Sequence, residues 1–340
     1  APQFSPGTPY TGFQEVRLNE TGSVLVLGTV DDAAIASTAD RAIVRIDDAA
    51  GAATQTVLLK EGDEVRPGRP LVELATTHES LGFAGNYTVA VPDLDGLASD
   101  DSGVLRHDGT AWSFVVREGD AAPVMGRTWV SFATAAVAVN RSGAWAVRSS
   151  FNSPTTDDLV IVRNGTDIIA REGSPVHGVS GAVFSGFGAG PIFIDDGGNV
   201  FYIGTWTDAS TTFADAGVFR NGELLVRAGF TLASNGERVS SVSDLANNLA
   251  VSPNVRYVLF EGDLFNTTTL TSRRGTIMVQ IAGCPADFNG VGGVTVQDIF
   301  DFLVAYFAGL PTADFNGVGG VTVQDIFDFL VAYFNSGSCS

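Results

Sequence analysis

Four glycines, Gly62, Gly119, Gly173 and Gly229, each close a strand-like run and stand 57, 54 and 56 residues apart. The runs are "LLKEGD", "VVREGD", "IIAREGS" and "LLVRAGF". A near-constant period of this length marks a chain built from repeated supersecondary units. Before each glycine lies another strand ending in a turn, as in "GVLRHDG" at 103–109, "DLVIVRNG" at 158–165 and "GVFRNG" at 217–222. Earlier still, an Asn/Asp-Gly turn feeds a strand: "NETGSVLVLG" from Asn19, "NRSGAWAVR" from Asn140 and "DDGGNVFYIG" from Asp195. Short alternating apolar runs between Gly, Asn and Asp clusters are the mark of an all-β region.

Four short strands in a unit of about 55 residues, repeated five times over 13–283, predict a mainly β, five-bladed β-propeller-like domain. A β-sandwich pair is the alternative, because Greek-key sandwiches space strands and turns similarly. The fifth unit ends at "GTIMVQIAG" before Cys284 and has no closing "REGD"-type strand. An open edge of this kind is normally covered or paired. The N-terminal segment 1–12 is the expected closing strand, or else a strand donated to a neighbour.

The 340 residues carry 38 acids against 19 bases, a formal charge of −19, and Lys60 is the single lysine. Such a surface repels nucleic acid and anionic membranes, both of which are bound by neutralising phosphate. No apolar run reaches the roughly 20 residues of a membrane span. The opening "APQFSPGTPY" reads as a mature N-terminus left by signal-peptide cleavage, which predicts an extracellular or cell-surface protein. Cys284 and Cys339 bracket one segment, 284–340, and predict a disulfide closing it.

Within that segment "ADFNGVGGVTVQDIFDFLVAYF" occurs twice without change, at 286–307 and 313–334. "DFNGVGGVTVQD" begins like a calcium loop. Asp287, Asn289, Gly293, Thr295 and Asp298 fall at ligand positions, as do Asp314, Asn316, Gly320, Thr322 and Asp325 in the second copy. Val291 and Val318 replace an expected oxygen donor in each loop and weaken the calcium expectation. A helical capping box explains the same Thr295–Asp298 and Thr322–Asp325 spacings without a metal. On a helical wheel the run from Val296 to Phe307 is apolar over roughly 200°, twice the stripe of an ordinary surface helix. Ile299, Phe300, Phe302, Leu303, Tyr306 and Phe307 are therefore expected to form an interface. Ile326, Phe327, Phe329, Leu330, Tyr333 and Phe334 repeat them. Burial against the chain's own β domain is the alternative.

The loop pattern, the "DIFDFLVAYF" helix, its repetition 27 residues later and the flanking cysteines resemble a dockerin domain of the kind ending secreted planctomycete proteins. The resemblance covers about 284–339. It implies a calcium-loaded two-repeat module that plugs into a cohesin-like partner. Residues 13–283 more weakly resemble the tandem-repeat regions of similar secreted proteins.

His78, His107 and His177 stand in separate segments without a recurring partner, and no nucleophile-elbow motif occurs. Propeller glycosidases need paired carboxylates. Asp157, Asp158, Asp195 and Asp196 are available, but in turn contexts where Asp is common anyway. The expectation is a protein that is not an enzyme: a secreted structural subunit assembled through its dockerin-like helices into a filament, lattice or surface complex. Its partner would be other copies of itself or a cohesin-like protein. A carbohydrate-binding or adhesion propeller is the alternative, and a propeller glycosidase a third. N-x-[ST] sequons stand at Asn19, Asn86, Asn140, Asn164 and Asn266.

Overall fold

The computed structural model describes residues 4, 5, 7–32, 34, 40–47, 51, 53–74, 80–207, 215–243, 249–252, 257–281, 286–289, 294–315 and 320–334. The fold is mainly β, followed by two helices. The chain divides into two compact units, one of 1–194, 198–250 and 260–276, the other of 195–197, 251–259 and 277–340.

The first unit is a succession of antiparallel sheets. Tyr10–Leu18, Val24–Val30, Arg41–Asp47 and Thr54–Lys60 form the first, in chain order. Leu81–Ala84, Tyr87–Ala90, Gly103–His107 and Trp112–Arg117 form the second. Trp129–Val139, Trp145–Phe151, Leu159–Arg163 and Asp167–Arg171 form the third. In the fourth, Val183–Phe187 and Val200–Thr207 pair before Ala216–Arg220 and Glu223–Arg227. The third strand of each sheet is sealed: Ile43, Leu105, Ile161 and Phe219 are at most 1% exposed. That position reads as a continuous apolar run because both its faces are covered. A smaller sheet of Glu64–Arg66, Arg69–Leu74 and Pro92–Leu94 lies between the first and second. Its Pro- and Gly-rich sequence gave no strand signal.

The four periodic glycines perform one job four times. Each has positive φ, from +75° to +89°, which only glycine adopts at little cost. Their N–H groups donate to Leu71 O, Trp129 O, Phe184 O and Val239 O at 2.7–2.9 Å. Those four residues donate back to Asp63 O, Asp120 O, Ser174 O and Thr231 O at 2.8–3.0 Å. All four are buried, at 1–5% exposure. The turns at Gly119, Gly173 and Gly229 therefore staple the last strand of one sheet to the first strand of the next, and the turn at Gly62 staples the first sheet to Arg69–Leu74 of the smaller sheet.

The asparagine turns repeat in the same way. Asn19 Oδ1 accepts from Thr21 N, Thr21 Oγ1 and Ser23 N, and Asn140 Oδ1 from Ser142 N, Ser142 Oγ and Ala144 N. Both asparagines are buried, so the sequons at Asn19 and Asn140 serve the fold.

In the fifth sheet Arg238–Val242 and Leu249–Val251 pair with Tyr257–Asn266, which also carries Thr271–Gln280. Among the described residues no further strand of this sheet follows Thr271–Gln280. Thr271–Gln280 is exposed over most of its length, and its arginines fold back: Arg273 pairs with Glu237 at 2.5 Å and Arg274 with Glu261 at 2.6 Å. Charged, inward-tied side chains of this kind blunt a free edge. The described part of the N-terminal segment does not lie along it. Tyr10 and Gly12 pair with Val30 and Thr29 in the first sheet, and Phe4 and Tyr10 pack against Ala42, Val44 and Val57. The aromatic residues find a ready core there, which corrects the expected closing strand.

In the second unit two helices, α1 (Val296–Phe307) and α2 (Val323–Phe334), coincide with the two copies of the duplicated run. Each begins at its capping box. Asp298 Oδ2 accepts from Thr295 N at 2.8 Å and Thr295 Oγ1 at 3.0 Å; Asp325 Oδ2 accepts from Thr322 N and Oγ1 at 2.7 and 2.9 Å. α1 ends in a Schellman turn, with Gly309 N bonded to Tyr306 O and Leu310 N to Ala305 O, both at 3.0 Å.

Candidate functional site

The helix pair is built around one aromatic stack. Phe302 of α1 and Phe329 of α2, both fully buried, lie parallel with centroids 4.3 Å apart and planes 2° apart. Phe288 meets Phe302 edge-on at 5.3 Å and Phe315 meets Phe329 edge-on at 5.5 Å. The crossed contacts, Phe288–Phe329 and Phe302–Phe315, are 6.1 and 6.2 Å. Matched distances in both senses give the pair a local two-fold symmetry, which identical sequences make natural. Ile299, Leu303 and Tyr306, with Ile326, Leu330 and Tyr333, are half-buried around the stack.

The expected interface thus separates into two roles. Phe302 and Phe329 turn inward and hold the pair together. Phe300 and Phe307, with Phe327 and Phe334, turn outward at 58%, 81%, 59% and 77% exposure. Val296, Val304, Val323 and Val331 are exposed beside them and were missing from the expected interface. Val296, Phe300, Val304 and Phe307 fall at i, i+4, i+8 and i+11, so they share one face, and α2 repeats the arrangement. Large apolar side chains clustered in the open mark an interaction surface more often than chance exposure does.

Asp298 and Asp325 are fully buried, because a carboxylate that caps its own helix must point into the preceding loop. Asp298 Oδ1 also accepts from Asn289 N at 3.1 Å, and Asp325 Oδ1 from Phe315 N at 2.8 Å. Asn289 Nδ2 donates to Asp301 Oδ2 at 2.7 Å. Of the other loop positions, Gly293 and Asn316 lie outside the described residues, as do Val291, Val318, Cys284 and Cys339. Asp314 Oδ1 is buried without a hydrogen-bond partner. Among the described residues no cluster of three or more metal-ligating side chains occurs.

Of the catalytic candidates, Asp195 and Asp196 are half-buried, while Asp157 and Asp158 make structural contacts. Asp157 forms an ion pair with Arg171 at 2.7 Å, and Asp158 faces Glu172. His177 is exposed. His107 is buried against Trp112 and accepts from Gly109 N at 3.1 Å, and burial holds its imidazole below the ordinary value. It ends an inner strand and is not the solvated turn residue that its sequence context suggests. His78 lies outside the described residues. A lining of Arg148, Phe187, Ile192 and Tyr202 surrounds a small recess in which Arg148 donates to the carbonyls of Gly188 and Gly190. The guanidinium thereby fills the recess and fixes the 188–190 loop.

No curated protein matches the chain. Similar solved structures include a Penicillium chrysogenum α-L-arabinanase complexed with arabinobiose, at 12% identity over 78% of this chain and 92% of that one, TM-score 0.33. An α-L-arabinofuranosidase mutant from Fusarium graminearum matches at 10% identity over 78% and 92%, TM-score 0.32. A GH43 glycoside hydrolase matches at 8% identity over 81% and 50%, TM-score 0.28. The expectation of a non-enzymatic subunit of a filament or lattice is corrected by these matches, since the similar solved structures include glycoside hydrolases. With TM-scores this low they assign neither a residue nor a substrate to this chain. The model of a family of unknown function, DUF7453, matches residues 1–228, two thirds of the sequence, and the chain belongs to that family.

Proposed function

We propose that the chain is a secreted protein in which a five-bladed, propeller-like domain is carried by a dockerin-like C-terminal module, and that the module docks onto a cohesin-like partner. The observation that carries this reading is the pair of outward stripes on α1 and α2, matched residue for residue and left out of the module's own core. Charge argues for a different protein over a second copy. Residues 284–340 contain six aspartates and no lysine, arginine, glutamate or histidine. Two such surfaces repel, whereas an apolar patch rimmed by Lys and Arg complements them.

Calcium belongs to the proposal through the second loop, where Asp314 offers a buried oxygen with no other partner. In Asp298 and Asp325 one oxygen already caps the helix and the other accepts Asn289 N or Phe315 N, so the metal would add to bonds these aspartates already make. A Cys284–Cys339 disulfide would tie the ends of the module together. The test is calorimetric titration of the intact chain against cohesin-type domains, at low and high salt, with calcium and with chelator. The reading expects saturable one-partner binding that weakens with salt. Absence of binding to such domains, together with concentration-dependent self-association, would overturn it.

A further inference from the structure

The glycine staple has a companion in the residue before it. In the first three sheets this is a glutamate, Glu61, Glu118 and Glu172, only 5%, 7% and 6% exposed. Each main-chain N–H donates to the carbonyl of a residue at the start of the third strand: Arg41, Ser102 and Leu159, at 3.0–3.1 Å. Each carboxylate then accepts the N–H of that same residue, at 3.0, 3.4 and 3.3 Å. The residue immediately before the partner is in every case an aspartate: Asp40, Asp101 and Asp158. The topology therefore sets two carboxyl groups face to face in successive units. Asp101 lies close enough to Glu118, and Asp158 to Glu172, for each aspartate to raise the proton affinity of its glutamate. In the first unit the Arg41 guanidinium stands 3.8 Å from Glu61 and takes part of that role. The fourth unit keeps Asp215 but has Ala228 in place of the glutamate, and retains only the main-chain bond to Ala216 O at 3.0 Å.

A catalytic acid pair would occur once, whereas this pair recurs with the repeat and is therefore part of the fold. We propose that Glu118–Asp101 and Glu172–Asp158 are proton-binding clasps, which hold the start of each third strand more firmly as the medium turns mildly acidic. Two adjacent carboxylates in a partly desolvated place repel each other. One proton turns the repulsion into a hydrogen bond from the glutamic acid to the aspartate. Burial first, and the facing aspartate after it, push both glutamates above the usual range, against the opposing pull of the backbone N–H bonds. Asp101 is the charged group that faces Glu118, and Asp158 the one that faces Glu172. Glu61 is raised by burial and by Asp40 but held down by Arg41, which makes it the weaker third.

A glutamate whose folded-state value is raised binds protons more tightly folded than unfolded. Its contribution to stability is complete below the unfolded value and is lost as pH rises through the folded one. Two groups of residues oppose the clasps. Asp32, Asp47, Asp100, Asp108 and Glu237 are held low by hydrogen bonds and lose stability in stronger acid. Buried His107 costs stability as pH falls through the ordinary imidazole range. A difference between variants removes both.

The experiment follows thermal unfolding of the intact chain from about pH 8 to pH 5, comparing wild type with Glu118→Gln/Glu172→Gln. Glutamine copies the protonated carboxyl, accepting the same N–H and donating to the aspartate. The variant should melt about 2–4 °C above wild type at the alkaline end, with the gap closing toward the acidic end. A second variant, Asp101→Asn/Asp158→Asn, removes the facing charge and should likewise flatten the profile. Parallel profiles for both variants, or a glutamine variant that melts below wild type at every pH, would overturn the proposal.

Discussion

The molecule repeats itself in two ways. Its sheets share a plan but few letters: the turns persist while the strands between them drift. Its helices share every letter. In the sheets, constancy falls where geometry demands it, at the positive-φ glycines, the buried asparagines and the clasp residues. In the helix pair the stack needs Phe302 and Phe329 to be alike, yet nothing in the packing requires Phe300 to match Phe327 or Phe307 to match Phe334. Sameness on an outward face points away from stability and toward a partner that meets the same chemistry twice.

Breaking the inner half of that comparison should have the largest effect. Phe302→Ala removes one member of a fully buried stack and should cost about 3–5 kcal/mol. It would be read as loss of amide-exchange protection across 296–334 while the sheets remain protected. Asp298→Ala removes the cap and orphans Thr295 N and Asn289 N, for about 1–3 kcal/mol. Its effect should likewise be confined to exchange in the helix pair. In the sheets, Gly143→Ala combines φ +80° with a new Cβ 2.6 Å from Tyr87 Cε1. About 1–3 kcal/mol is expected from such strain and overpacking, measured by denaturant unfolding. Phe307→Ser lies at the small end. Its ring is 81% exposed and meets Tyr306 edge-on at 5.5 Å, so its loss should change stability by less than about 1 kcal/mol, visible as a nearly unchanged midpoint.

Much of this was legible before any coordinates. The glycine spacing gave the repeat, and the capping-box and wheel patterns placed both helices. What the sequence hides shares a physical cause: polar residues that sequence context assigns to the surface but topology draws inside. The glutamate of "REGD" reads as an exposed turn charge, and only the coincidence with an aspartate before the third strand shows it to be a clasp. Asp298 is charged and opens a helix, which reads as a surface position, and its capping duty pulls it under the helix. His107 precedes an Asp-Gly turn and reads as exposed, yet it closes a buried strand end against Trp112. At the N-terminus, Phe4 and Tyr10 join the first sheet because an apolar cluster lies within reach, which a strand-pairing argument alone does not weigh.

The most direct measurement pairs stability with binding on one variant, Phe300→Ser/Phe307→Ser/Phe327→Ser/Phe334→Ser. Its melting would be followed alongside titration with a cohesin-type domain that binds the parent chain. An unchanged melting temperature with at least a tenfold loss of affinity is the predicted result, since anchor aromatics dominate such interfaces. Retained affinity, or melting that falls together with affinity, would mean that the outward stripes are not a docking face.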